Sequence, residues 1–355
     1  MKKIAFLLVL IFAGHSAAQV SRQGTIASDE QRAKIFLEKG DWPNLLTHST
    51  YWIKKYPGEG KAWHYLGIAQ KTLGQKEEAI KSLTKAWKLS YQRDYDIISD
   101  VGDMYVEQEQ WDLAENAYRK ALKIKSQSPD MWNRLVDVIF AYPHPSQLND
   151  AAVALKKLLS FPDYVNNPDR WQQYAKTIDE LGMDDEVVYD AYRHVLRLLP
   201  KNINAYEKMH TIDLIRGDIQ EAEKKLSSLL KLDSKNPTAN VYFGRQALKN
   251  GNPKIAQQYF SVVLEHANLP KRLRAKTLTA LGDLHSKKRD FPNALEQYRQ
   301  SISTDPTYLP PWEQVIAILR NQGNFSDAQK YYEKLLTVER LIARNKTVDD
   351  SVLPF

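Results

Sequence analysis

The residues able to do chemistry come first. Eight histidines could bind metal or move protons. None stands in a His-Glu-x-x-His pattern or at close ligand spacing, and a chain without cysteine has no thiolate zinc site. "GEGKAW", from Gly58, has the ending of a phosphate loop, but its earlier glycine is missing and Ala62 replaces the required Ser or Thr. The run Asp184-Asp185-Glu186 could serve as a carboxylate pair. It follows Gly182-Met183 at a helix start, where carboxylates favour the dipole. No Gly-x-Ser-x-Gly occurs. The expectation is a protein without catalytic residues, metal ligands or cofactor, whose chemistry is binding.

The elements that position any binding surface follow from spacing. "KAWHYLGIAQKTLGQKEEAIKSLTKAW", Lys61 to Trp87, has apolar residues at helical intervals on both sides of a glycine break, which predicts two amphipathic helices and a tight turn. The pattern returns. Val101-Gly102, Phe243-Gly244 and Leu281-Gly282 repeat Leu66-Gly67. Ala79, Ala114, Ala222, Ala256, Ala294 and Ala328 each precede by four residues a large partner: Leu83, Tyr118, Leu226, Phe260, Tyr298 and Tyr332. Ala79 to Ala114 is 35 residues, Ala222 to Ala256 is 34, Ala256 to Ala294 is 38 and Ala294 to Ala328 is 34. A fixed period of this size is one supersecondary unit repeated. Small alanines let two helix backbones approach, and the large residue one turn on fills the seam. Each hairpin keeps an uncovered apolar face, so neighbours must stack.

These residues resemble the tetratricopeptide repeat, whose pattern of about 34 residues runs Trp, Leu-Gly, Tyr, Ala, Phe, Pro. One copy matches through Trp63, Leu66, Gly67, Gly74, Ala79, Leu83 and Ala86, another through Leu278, Leu281, Gly282, Ala294, Tyr298 and Pro306. The resemblance implies an all-α, right-handed superhelical solenoid over 26–342, with about nine units near 26–59, 60–93, 95–128, 129–165, 168–202, 203–236, 237–270, 275–308 and 309–342. Trp63, Trp132, Trp171 and Trp312 occupy the repeat's own structural position, while Trp42, Trp52, Trp87 and Trp111 lie in or beside second helices as packing. The first unit lacks the alanine but opens with a capping-box spacing, "SDEQ" at Ser28 to Gln31. The excess around "HANLPKRL" predicts a kink or a subdomain joint near 265–275.

In proteins of this resemblance the first helices line a groove through positions 2, 5, 9, 12 and 13 of each unit. Carried over, units three to five place Asp96, Asp103, Glu107, Asp130, Asp137, Asp169, Asp179 and Glu180 there, against one cation, Lys176. Units seven and eight place Arg245, Lys249, Lys276 and Lys287, against Asp283. An acidic middle and a basic far end would steer a partner of complementary charge. Phe140 is the one aromatic at these positions, which disfavours a sugar groove.

Composition bounds the rest. A hydrophobic content of 43% with 26% charged residues is that of a folded chain. The net charge of +7, dispersed over 355 residues, is no nucleic-acid signature. "MKKIAFLLVLIFAGHSAA" has paired lysines, an apolar run from Ile4 to Ala13 and small residues at its end, the grammar of a secretory signal over 1–18. A linker over 19–25 then leads into the repeats. Cleavage near Ala18 would deliver a periplasmic or secreted protein with no membrane span. The tail, 343–355, ends either loose or docked on the last helix. Together these features predict a noncatalytic adaptor that binds a peptide or helix in the bacterial envelope, within a pilus, secretion, outer-membrane or polysaccharide-export machine. The alternative is a binder of an anionic envelope polymer through the basic half. Oligomeric state is not legible.

Overall fold

A computed structural model describes residues 23–90, 92–143 and 147–346. The expected leader and its cleavage point, and the tail from 347 on, lie outside the described residues. The chain forms two compact units that divide after Ala191, and among the described residues its regular structure is helical.

The first unit holds α1 (23–38), α2 (Trp42–Lys55), α3 (Gly60–Thr72), α4 (Lys76–Leu89), α5 (Tyr95–Glu107), α6 (Trp111–Ile124), α7 (Pro129–Ala141), α8 (Leu148–Leu158) and α9 (Pro168–Glu180). The division falls inside α10 (Asp185–Leu198). The second unit holds α11 (Ile203–Arg216), α12 (Ile219–Leu232), α13 (Pro237–Lys249), α14 (Pro253–Leu264), α15 (Lys271–Lys287), α16 (Phe291–Thr304), α17 (Pro310–Asn321) and α18 (Phe325–Lys346). Odd-numbered helices are the first of each hairpin and even-numbered helices the second.

Local signals start these helices. Ser128-Pro129, Asn167-Pro168 and Asn236-Pro237 pair a capping side chain with proline at the first helical position, where no N–H is needed. Asn236 Oδ1 accepts from the Ala239 amide at 3.0 Å, and Asn167 Oδ1 from Arg170 at 3.0 Å. Between the helices of a hairpin the turn needs a left-handed residue. Gly74, Gly182 and Gly217 supply it at φ 78°, 63° and 79°, and glycine's lack of Cβ makes that conformation inexpensive. Glu109 and Arg289 occupy the same turn position at φ 55° and 59°.

The seam is tight in the hairpins α3–α4, α5–α6, α13–α14 and α15–α16. A Cβ added at Gly67 would lie 2.6 Å from Leu83 Cγ, and one at Gly244 or Gly282 would lie 2.5 Å from the ring of Phe260 or Tyr298. Gly102 meets Tyr118 in the same way. Ala79, Ala114, Ala222, Ala256 and Ala294 are wholly buried and Ala328 nearly so. In those four hairpins small residues on both helices admit one large side chain, whereas Tyr332, the expected partner of Ala328, is exposed and Tyr331 packs on that cluster instead.

A second recurring device ties each first helix to the loop before it. The indole N–H of Trp63, Trp132, Trp171 and Trp312 donates to the carbonyl six residues earlier, on Pro57, Ser126, Val165 and Pro306, at 2.7–3.0 Å. Asn240, at the equivalent place in α13, donates to Ser234 O at 3.0 Å. The tryptophans are structural, and the indole N–H explains their recurrence. Trp52 and Trp87 are buried.

Several expectations need correction. Residues 23–25, assigned to a linker, are already helical, and Ser28 lies inside α1, so "SDEQ" caps no helix start. Ile26 packs on the cluster of Ala33, Leu45, Trp52 and Tyr65, and the Thr25 and Tyr56 hydroxyls are 3.0 Å apart, which extends the helix toward its N-terminus. The excess residues before the eighth unit become helix: α15 starts at Lys271 and runs 17 residues, where α3, α5, α7, α9, α11, α13 and α17 run 12–14. The ninth unit's second helix extends to Lys346, past the expected boundary at 342.

Candidate functional site

The candidate residues of the first unit stand on three first helices: Asp96, Asp103 and Glu107 on α5, Asp130, Asp137 and Phe140 on α7, and Asp169, Lys176 and Asp179 on α9. The charges of Asp103, Glu107, Asp130, Asp137 and Lys176 are compensated within the fold. Arg134 Nη1 reaches both oxygens of Asp103 at 2.5 and 2.6 Å, and its Nε lies 3.0 Å from Asp130. Arg170 Nη2 donates to Asp137 at 2.5 Å and to Asn133 at 2.7 Å. Lys71 pairs with Glu107 at 3.2 Å, and His64 Nε2 lies 2.6 Å from Asp100. Lys176 lies 3.7 Å from Glu180 on its own helix.

These contacts form a ladder. His64–Asp100 and Lys71–Glu107 link α3 to α5, Arg134–Asp103 links α5 to α7, and Arg170–Asp137 links α7 to α9. Burial opposes the Arg134 charge, but the Asp103 carboxylate outweighs it and holds the guanidinium more firmly protonated than usual. Tyr118 donates to Asp103 at 2.7 Å, and burial together with that carboxylate pushes its phenol far above the ordinary range. The expectation of carboxylates opposed by Lys176 alone is therefore corrected: Arg134 and Arg170 stand among them. Both lie about one repeat from their partners, 31 residues from Asp103 and 33 from Asp137. A search for opposite charges one period apart would have found them.

The second unit differs. Arg245 and Lys249 from α13, Asp283, Ser286 and Lys287 from α15, Tyr298 from α16 and Gln314 from α17 line one open cleft of about 520 Å³. Lys287 Nζ donates to the Leu248 carbonyl at 3.1 Å, and Arg245 donates to the Tyr308 hydroxyl at 3.3 Å. Among the described residues none of Arg245, Lys249 and Lys287 has a carboxylate within the 4.0 Å of an ion pair. Asp283, the one acid in the lining, accepts from Tyr298 Oη at 2.7 Å; burial raises its pKa despite that bond and the nearby Arg245 and Lys287. Lys276, half-buried on α15 and outside the lining, has its pKa lowered by burial and by Arg245 and Arg272. Arg272 pairs with Asp305 at 3.1 Å and lies over the Tyr308 ring at 5.3 Å. Of the four expected basic residues, the fold brings three into one cleft and leaves the fourth beside it.

Among the described residues no group of three His, Asp or Glu could hold a metal, and no helix is long and apolar enough to cross a membrane.

The sequence pattern that defines the Tetratricopeptide repeat family matches residues 60–92 and 275–308. These two segments carry that family's pattern. They coincide with α3–α4 and α15–α16, the hairpins with the Gly67–Leu83 and Gly282–Tyr298 seams. A curated relative, "BBSome complex member bbs-4" of Caenorhabditis elegans, is 22% identical over 207 residues. That alignment spans 58% of this chain and 44%, under half, of the relative. Among solved structures, YrrB, described as a TPR protein with an unusual peptide-binding site, is 16% identical with a TM-score of 0.40, covering 54% of this chain and 95% of its own. The P58(IPK) TPR domain is 16% identical with a TM-score of 0.32, covering 90% and 98%.

Proposed function

We propose that this tetratricopeptide-repeat protein is an exported, noncatalytic adaptor of the bacterial envelope that holds an acidic segment of a partner protein in the cleft of α13, α15 and α17. One observation carries the reading. Arg245, Lys249 and Lys287 converge on an open cleft without ion-pair partners among the described residues, whereas the carboxylates Asp103, Asp130 and Asp137 of the first unit are already paired with arginines. Unpaired charge in a recess can reward a ligand of opposite sign; paired charge must first be broken. Export rests on the leader-like "MKKIAFLLVLIFAGHSAA", and a role in assembling an envelope machine is the adaptor's expected setting.

The test is affinity capture from envelope extract with the mature chain, the triple variant Arg245→Glu/Lys249→Glu/Lys287→Glu, and Asp96→Lys/Asp169→Lys/Asp179→Lys. The reading expects a protein partner retained by the wild type and by the aspartate variant, and lost by the cleft variant at unchanged melting. Loss with the aspartate variant alone returns the site to the first unit. Retention of polysaccharide alone, dependent on the same cations, replaces the adaptor with a binder of an anionic envelope polymer.

A further inference from the structure

The second helices α4 and α6, together with one face of α5, line a groove separate from the first-helix residues of both candidate sites. It consists of two adjoining hollows of about 510 and 310 Å³ that share Thr84, Lys88, Tyr105 and Leu113. Ile80 and Tyr105 are half-buried in it, and Leu113 is 48% exposed. Such apolar surface within a recess fits a convex apolar ligand.

Lysines surround it. Lys81, Lys85 and Lys88 follow one another along one face of α4, spanning about 10 Å of helix, and Lys120 adds a fourth from α6. No aspartate or glutamate lines either hollow. Among the described residues none of the four lysines has a carboxylate within 4.0 Å, although Lys71, in the same repeat, is paired with Glu107. Like charges one turn apart repel, so the row carries a cost that an anionic ligand would relieve.

We propose that this groove is a second docking site, for an acidic amphipathic helix of a partner protein. Its apolar stripe lies on Ile80, Tyr105 and Leu113, and carboxylates flanking the stripe meet Lys81, Lys85, Lys88 and Lys120. This is the helix-in-groove mode with basic walls. A nucleic acid has no use for the apolar floor, and a flat lipid surface does not enter a recess between two helices.

The test uses the full chain and a helix-stapled fluorescent peptide of about 18 residues with leucines on one face and glutamates flanking them. Lys81→Glu/Lys85→Glu/Lys88→Glu is expected to weaken binding by about tenfold or more, and Leu113→Ser by several-fold with every lysine retained. Arg245→Glu/Lys249→Glu/Lys287→Glu should leave this binding unchanged, which separates the groove from the cleft. Lys85→Ala/Lys88→Ala, a milder pair, is measured beside the reversal, with helicity and melting followed for each variant. The proposal is overturned if the peptide with serines for leucines binds equally well, or if both lysine variants bind like the wild type. It also falls if vesicles containing phosphatidylglycerol bind through these lysines while the peptide does not.

Discussion

Tyr298 donates its hydroxyl to Asp283 at 2.7 Å, across the seam where the Tyr298 ring packs on Gly282. The first unit contains the same device, Tyr118 on Asp103 at 2.7 Å beside Gly102. The two copies differ in what else the carboxylate meets. Asp103 has Arg134; Asp283 lies half-buried, without an ion pair among the described residues, and its pKa is raised.

This difference sets opposite signs for one substitution. With a folded pKa above the ordinary 3.8, Asp283 disfavours the fold when charged, so the penalty is present at neutral pH. It fades as pH falls through the raised pKa and is gone below 3.8. Asp283→Asn should match or exceed wild-type stability at pH 7, with the gain shrinking on acidification. Asp103→Asn should lose about 1–2 kcal/mol at pH 7, because it breaks the Arg134 pair. Urea melts across pH check both; a loss at Asp283→Asn as large as that at Asp103→Asn contradicts the assignment.

Gly282→Ala should destabilise the second unit by about 1–3 kcal/mol, since the new Cβ would lie 2.5 Å from the Tyr298 ring. Pairing it with Tyr298→Leu should recover part of the loss by vacating that space. Thermal melting of the single and double variants reads the coupling.

Glu109 and Arg289 hold the left-handed turn position that glycine fills in neighbouring repeats. Replacing either with glycine should raise stability by up to about 1 kcal/mol, the relief of backbone strain being partly offset by the freedom glycine gains when unfolded. The opposite change, Gly217→Ala at φ 79°, should lower it. Denaturant midpoints measure both.

His210 is buried, and burial holds its pKa below the ordinary 6.5. Below pH 6.5 the unfolded chain therefore binds a proton that the folded chain resists, and stability falls until pH passes the lowered pKa. The slope contributed is at most about 1.4 kcal/mol per pH unit. His210→Gln should remove that slope whatever it does to stability at pH 7. Melting temperatures between about pH 7.5 and 5 compare the two slopes.

The sequence by itself determined the hairpins, their beat and their seams. Helical periodicity, the left-handed turn residue and a small residue facing a large one are requirements met within one repeat, so Gly67, Ala79 and Leu83 announce their roles by spacing alone. It also marked Trp63, Trp132, Trp171 and Trp312 as structural, because an indole that must reach a carbonyl six residues back recurs with the repeat. Tertiary structure decided which charges are available to a ligand. Asp103 and Lys287 both occupy first-helix positions, yet Arg134 from the next hairpin neutralises one, while the other donates to a carbonyl beside the half-buried Asp283. The groove of Lys81, Lys85, Lys88 and Leu113 was likewise invisible, since it joins second helices of adjacent repeats. Pairing of that kind depends on how each helix is rotated against its neighbour, and stacking sets that rotation between repeats.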